Sequence, residues 1–246
     1  MSLSEEQKAE YFKSVCEINR IERVVGGIQK GFGNGVFITP SHVLTAWHVI
    51  SGAQKSGLEF SNHKGDTASM IDGGYKSRKT EHDLCIVELD KTIGADVYTR
   101  PVNRHLLSNI DIQKNGRIGT VFAKNIHGNK EVVADVMGTH FLNAAHPSFS
   151  QGDLHDNPTG MDINSLSYFE TQEPLLHQGH SGSPILNDDG YIISIFSAIA
   201  VKASMSSTSV QASEILKGSN PQQVADFVDN FLFRPESAHC IDEFEV

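Results

Sequence analysis

The chain has 246 residues, 39% hydrophobic and 20% charged, a globular composition that excludes a disordered or collagen-like polypeptide. Asp and Glu number 30 against 20 Lys and Arg, a net charge of −10; without a basic cluster such a surface repels phosphate backbones, so nucleic acid is not an expected partner. No apolar run approaches the roughly 18–20 residues that span a bilayer, and three scattered cysteines, Cys16, Cys85 and Cys240, make neither a disulfide scaffold nor a CxxC metal ladder.

In chain order, the opening MSLSEEQKAE lacks a basic stretch followed by an apolar core. It does not read as a signal peptide, which as written points to the cytoplasm; a trimmed leader would make the protein periplasmic or secreted. A helix is expected over residues 4–19: Ser4 and Gln7 fit a capping box, and Phe12, Val15 and Cys16 share a face. From about residue 20 short β-rich segments follow one another, at 23–25, 35–39, 42–46, 83–89, 117–121, 131–137, 167–170, 184–186 and 191–200. Clusters of Gly, Asn, Asp, Pro and Ser separate them, and this pattern predicts a β-sandwich or barrel. Residues 143–164 form a long polar connection of the kind that carries function. A second helix is expected near the end, with Pro221 at its start and an apolar stripe of Val224, Phe227, Val228, Phe231 and Leu232.

Three segments carry chemistry. Thr45-Ala46-Trp47-His48-Val49 ends a strand on a histidine; taken alone, one of twelve histidines is a core or surface residue. Asp83-Leu84-Cys85-Ile86-Val87 opens an apolar strand on a carboxylate, placed to accept an N–H from a histidine and fix its tautomer; a plain turn Asp is the ordinary alternative. Gly179-His180-Ser181-Gly182-Ser183-Pro184 sets a serine between glycines. A nucleophilic serine must protrude while neighbouring N–H groups turn toward one point, and glycine permits the dihedrals. The Gly-x-Ser-x-Gly elbow does not fit, because Ser183 takes the place of its second glycine.

Together, in the order His, Asp, Ser, these segments resemble the three signatures of chymotrypsin-like, trypsin-fold serine proteases, over roughly residues 22–205. In character the chain is most similar to bacterial HtrA-like or glutamyl-endopeptidase-like proteases without a PDZ domain. Val49 follows the histidine, Tyr168-Phe169-Glu170-Thr171 precedes the serine loop, and residues 190–199 follow it. Phe196 stands where the glutamyl-specific subgroup usually has a histidine, so acidic P1 specificity is not expected. The resemblance implies an all-β fold of two antiparallel six-stranded β-barrels with N-terminal and C-terminal helices. The expected divisions are a helix over 1–19, a first barrel over 20–105, a second over 106–206, and a helix and tail over 207–246.

The resemblance also assigns roles. Ser181 is the nucleophile, His48 the base and Asp83 its orienting partner; the N–H groups of Gly179 and Ser181 form the oxyanion hole. Leu175, Phe196, Ser197 and Ile199 fall at the substrate pocket, an uncharged set suited to small or medium aliphatic P1 residues. The expected partner is a protein or peptide substrate; no cofactor and no metal are needed, and the oligomeric state is left open. Residues 23–27, Arg-Val-Val-Gly-Gly, resemble a zymogen cleavage site. The residue before Ser181 is His180 and not the Asp that would capture a new N-terminus, so residues 23–27 are expected to be an ordinary strand and turn.

Other chemistries fit less well. A zinc site could be drawn from His177, His180, His140 or His155, but ligands spaced i,i+3 normally sit on a helix, and His177 and His180 fall in the glycine loop. A cysteine nucleophile has no candidate in the glycine loop, and Cys85, in the 83–87 segment, reads as barrel core. A non-catalytic binding module on the same fold is the remaining alternative, although such modules usually lose a member of the triad.

Overall fold

The computed structural model describes residues 3–24, 27–51, 53, 57–79, 82–99, 117–125, 130–138, 166–171, 176–177, 179–202 and 214–233. The connection over 143–164, Leu175, His140, His155 and Cys240 lie outside them.

Strands β1 (Val15–Val24) and β2 (Gly27–Thr39) pair antiparallel along their length, from Val15 opposite Val36 to Val24 opposite Gly27. β3 (His42–Ala46), β4 (Leu58–Ser61), β5 (Thr67–Lys79) and β6 (Leu84–Leu89) complete a closed barrel in the order β1-β2-β3-β6-β5-β4. Ile18 opposite Phe60 joins β4 back to β1. Closure leaves no unpaired edge. Ile18, Val36, Leu44, Phe60 and Ile86 are fully buried, and each such side chain contributes about 1.5–3 kcal/mol by leaving water.

The second barrel has β7 (Arg117–Asn125), β8 (Lys130–Gly138), β9 (Leu166–Thr171), β10 (Pro184–Leu186), β11 (Ile192–Lys202) and β12 (Glu214–Ser219), in the order β10-β11-β12-β9-β8-β7. It closes where Ile185 meets Val121. Val121, Val136, Phe169, Ile185, Ile193 and Phe196 make its core. The fold is therefore two closed antiparallel six-stranded barrels, as expected.

Three helices are seen among the described residues: α1 (Glu5–Phe12), α2 (Trp47–Ile50) and α3 (Pro221–Phe233). The α1 capping box forms as expected, with Gln7 N donating to Ser4 Oγ at 3.2 Å and Ser4 N to Gln7 Oε1 at 3.0 Å. Val224, Phe227 and Val228 of α3 are buried in the first core. The α1 helix bridges the barrels: Tyr11 and Phe12 meet Phe122 of β7 edge-on, at 5.9 and 5.3 Å between ring centroids, and Tyr11 Oη donates to Asp188 O at 3.0 Å.

Two expectations need correction. The helix expected over 4–19 ends at Phe12, and Val15 and Cys16 open β1. Positions 12, 15 and 16 satisfy helical spacing, but pairing with β2 and β4 satisfies the same backbone groups and buries Val15, Cys16 and Ile18 together. Tertiary pairing overrides a local pattern of this kind. The barrels are also wider than 20–105 and 106–206 at their outer ends, because β1 starts at Val15 and β12 runs to Ser219. Within residues 23–27, Arg23 and Val24 sit inside β1, opposite Ile28 and Gly27 of β2, and Val25 and Gly26 lie outside the described residues.

Candidate active site

The register of β3 on β6 builds the first half of the site. Thr45 lies opposite Cys85 and Ala46 opposite Leu84, so the residues after β3 meet the residue before β6. Trp47 N donates to Asp83 O at 3.0 Å, His48 N to Asp83 Oδ1 at 2.9 Å, and His48 Nδ1 lies 2.7 Å from Asp83 Oδ2. Asp83 is fully buried at φ 53°, the one positive φ among described non-glycine residues. Asp tolerates this left-handed conformation better than most residues. A carboxylate only accepts, so Nδ1 carries a proton, and the tautomer this selects for a neutral ring is the one with its lone pair on Nε2. The His48 side chain is 29% exposed and the carboxylate 0%: the pair presents an open base over a sealed acceptor.

The second half is the loop before β10. Gly179 has φ 100° and Gly182 φ 85°. At Gly182 a Cβ would fall 1.9 Å from Asn34 O and 2.5 Å from Thr45 Oγ1, so the loop lies directly on β2 and β3. Asn34 N donates to Ser181 O at 2.7 Å, Gly182 N to Phe196 O at 2.7 Å, and Phe196 N to Ser183 O at 2.8 Å. Ser181 is thereby held in the seam between the barrels, in a loop packed on β2 and on β3, the strand that leads into His48 of α2. Its hydroxyl donates to Ser197 O at 3.0 Å, and among the described residues no hydrogen bond joins it to His48.

His180 O accepts from Ser183 Oγ at 2.6 Å and Ser183 N at 3.2 Å. In a trans peptide the Ser181 N–H points opposite to that carbonyl. Among the described residues neither the Gly179 nor the Ser181 N–H donates to a protein acceptor. The His180 ring is buried, and burial first, then the neighbouring His177, lowers its pKa to about 4; it is neutral.

The expected pocket residues separate. Phe196 is 1% exposed, its ring within the second core beside Ile185 and Ile193, not on an open wall. Ser197 is buried and offers its carbonyl to Ser181. Ile199 lies in β11 opposite Leu216, and Leu175 is outside the described residues. Two shallow concavities of about 500 Å³, one around Tyr98 and Tyr191 and one around Asn62 and Lys91, lie away from His48, Asp83 and Ser181. Among the described residues no three His, Cys, Asp or Glu side chains converge to hold a metal. Cys85 and Cys16 are buried in the first core; burial pushes the Cys16 thiol pKa up.

One residue given no role by the sequence stands out. Asn34 is fully buried, and its side chain contacts Gly179 O and Lys124 O through Nδ2 and accepts from Lys124 N at Oδ1. An Asn between two glycines reads as a turn, so no pattern marks it.

The search of curated proteins finds no match. Among solved structures, the chain superposes on the Rv3671c protease in its inactive form with a TM-score of 0.59 at 14% identity, covering 94% of this chain and 97% of that one. A mutant of Rv3671c from M. tuberculosis H37Rv, also inactive, gives 0.58 at 13% identity, with 94% of each chain covered. The active form gives 0.58 at 12% identity, covering 93% of this chain and 87% of that one. At these identities the likeness is one of fold. The model of the trypsin-like peptidase domain matches residues 33–195, more than half of the chain and all three segments singled out above. The chain belongs to the trypsin-like peptidase domain family.

Proposed function

We propose that the protein is a serine endopeptidase that works through a Ser-His-Asp triad and an acyl-enzyme. The observation that carries this is the sealed Asp83 gripping both the ring and the backbone of His48, together with a serine set between two glycines at positive φ in a loop packed on β2 and β3. In this reading Ser181 Oγ bonds to the scissile carbonyl carbon while His48 Nε2 takes the hydroxyl proton. The carbonyl electron pair moves onto the oxygen, which the N–H groups of Gly179 and Ser181 receive. Collapse breaks the C–N bond, and His48 returns the proton to the leaving amine; water then hydrolyses the ester by the same route. Each oxyanion donor contributes roughly 3–4 kcal/mol at the transition state.

The Ser181 hydroxyl starts on Ser197 O. Turning it to His48 exchanges one hydrogen bond, worth about 1 kcal/mol, for another, and such contacts commonly tighten only with substrate bound. The substrate class is a protein or peptide chain. Of the four uncharged residues expected at P1, Phe196 lies in the second core and Ser197 is buried, so the reading rests on the resemblance and on the lack of charge at all four positions, where a charged P1 group would stay unpaired. This favours small or medium aliphatic P1.

The alternative is a non-catalytic binding module, which the resting Ser181–Ser197 hydrogen bond favours. A fluorophosphonate probe separates the two. Labelling of the wild type that is lost in Ser181→Ala and in His48→Ala is the expected result; an unlabelled wild type overturns the peptidase reading. Cleavage-site profiling on a peptide library tests P1, where a preference for Arg, Lys or Glu would contradict it.

A further inference from the structure

The turn leading into Ser181 is held from two sides by side chains that the chemistry above does not use. On one side is His180. His180 N donates to His177 O at 3.1 Å, and His177 N donates back to His180 Nδ1 at 3.1 Å. The turn is thus closed twice, once by main chain and once by an imidazole standing in for an acceptor. Nδ1 accepts only when unprotonated, so the proton sits on Nε2. Nε2 is buried and has no partner among the described residues. The ring lies against His177, centroids 4.5 Å apart. A ring with one satisfied nitrogen and one orphaned one is costly to bury, and here the bond it does make falls on the turn that carries Gly179.

On the other side is Asn34. Its Nδ2 donates to Gly179 O at 3.0 Å and to Lys124 O at 3.3 Å, and its Oδ1 accepts from Lys124 N at 3.0 Å. Its main chain donates to Ser181 O and accepts from Thr45 Oγ1 at 2.6 Å. One buried residue of β2 thus binds the carbonyls of Gly179 and Ser181, β7 of the second barrel, and β3, the strand that leads into His48.

We propose that Asn34 and His180 are positioning residues that clamp the turn before Ser181 from opposite sides, holding the Gly179 and Ser181 amides in register with His48 in the folded chain. The proposal rests on the serine peptidase reading. Asn34 fixes where the turn sits relative to the first barrel, and His180 fixes its internal shape. Neither touches the reacting atoms. Their loss is expected to act on the chemical step more than on substrate binding, because a misplacement of about 1 Å costs about 10²-fold.

Asn34→Asp keeps the shape and the acceptor for Lys124 N but removes the donor to both Gly179 O and Lys124 O. It is expected to lower kcat about 10²-fold with KM changed by less than about threefold. At His180 the pair His180→Asn and His180→Leu tests the acceptor itself, since an Asn amide oxygen can replace Nδ1 and Leu cannot. His180→Asn is expected to keep kcat within about fivefold and His180→Leu to lose about 10²-fold, both assayed well below their melting temperatures. Equal activity of these two, or a wild-type kcat in Asn34→Asp, overturns the proposal. If Asn34→Asp does not fold, the His180 pair decides alone. Fluorophosphonate labelling of the wild type runs alongside: an unlabelled, inactive wild type overturns both readings, and an active wild type with unaffected variants overturns this one only.

Discussion

Asp83 holds His48 by two bonds of different kinds, one to the ring and one to the backbone N–H, from a carboxylate with no exposure to solvent. The ring bond sets the tautomer and the backbone bond sets where the ring begins. Removing the charge while keeping the shape therefore separates the two. Asp83→Asn is the informative variant, because Asn also tolerates the left-handed backbone at this position. It is expected to lower kcat by about 10⁴-fold while the fold survives. Steady-state kinetics with circular dichroism check this; retention of most activity would remove Asp83 from the triad.

Ser181→Ala deletes a hydroxyl whose described bond is to Ser197 O. Stability is expected to change by no more than about 1 kcal/mol, while hydrolysis and labelling disappear. If the proposed triad acts as a unit, Ser181→Ala combined with His48→Ala is expected to be little worse than either alone. Denaturant melts and turnover measured on the three variants test both statements.

Gly182→Ala is expected to be severe. It places a Cβ 1.9 Å from the backbone oxygen of Asn34 at φ 85°, combining strain with a clash that no side-chain rotation relieves. A loss of about 2–5 kcal/mol follows from the two effects. Gly65, also at positive φ but with nothing near its Cβ position, is the control: Gly65→Ala should cost only the backbone term. Melting temperatures of the two variants should differ in that order.

Stability should depend on pH through His180. Burial and His177 lower its folded pKa to about 4 from 6.5. As pH falls below 6.5 the unfolded chain takes up a proton that the folded chain refuses. The contribution is therefore fully present above pH 6.5 and lost progressively as pH falls to about 4, with an upper bound of about 3 kcal/mol. Urea midpoints at several pH values test this; His180→Asn should show a shallower slope, and an unchanged slope would mean that His180 is not the group responsible.

The sequence by itself determined the architecture and the family, and it singled out the residues proposed to carry the chemistry. His48, Asp83 and Ser181 each sit in a short contiguous motif whose neighbours set the local backbone, so a linear reading finds them. The α1 cap at Ser4 and Gln7 and the buried face of α3 are equally local, governed by spacings of three and four residues. Tertiary structure alone decided where spacing is ambiguous or the partner is remote. Phe12, Val15 and Cys16 fit one helical face, yet residues from Val15 onward pair with β2 and β4, because closing a barrel satisfies the same backbone groups and buries Val15, Cys16 and Ile18 together. Phe196 is at a position the family reading gives to the substrate pocket, yet its ring is in the second core, because side-chain direction on β11 follows the barrel's register. Asn34 carries no sequence signal: its partners Gly179, Ser181 and Lys124 lie 90 or more positions away, and a buried amide becomes a hub only when two barrels bring those groups to it.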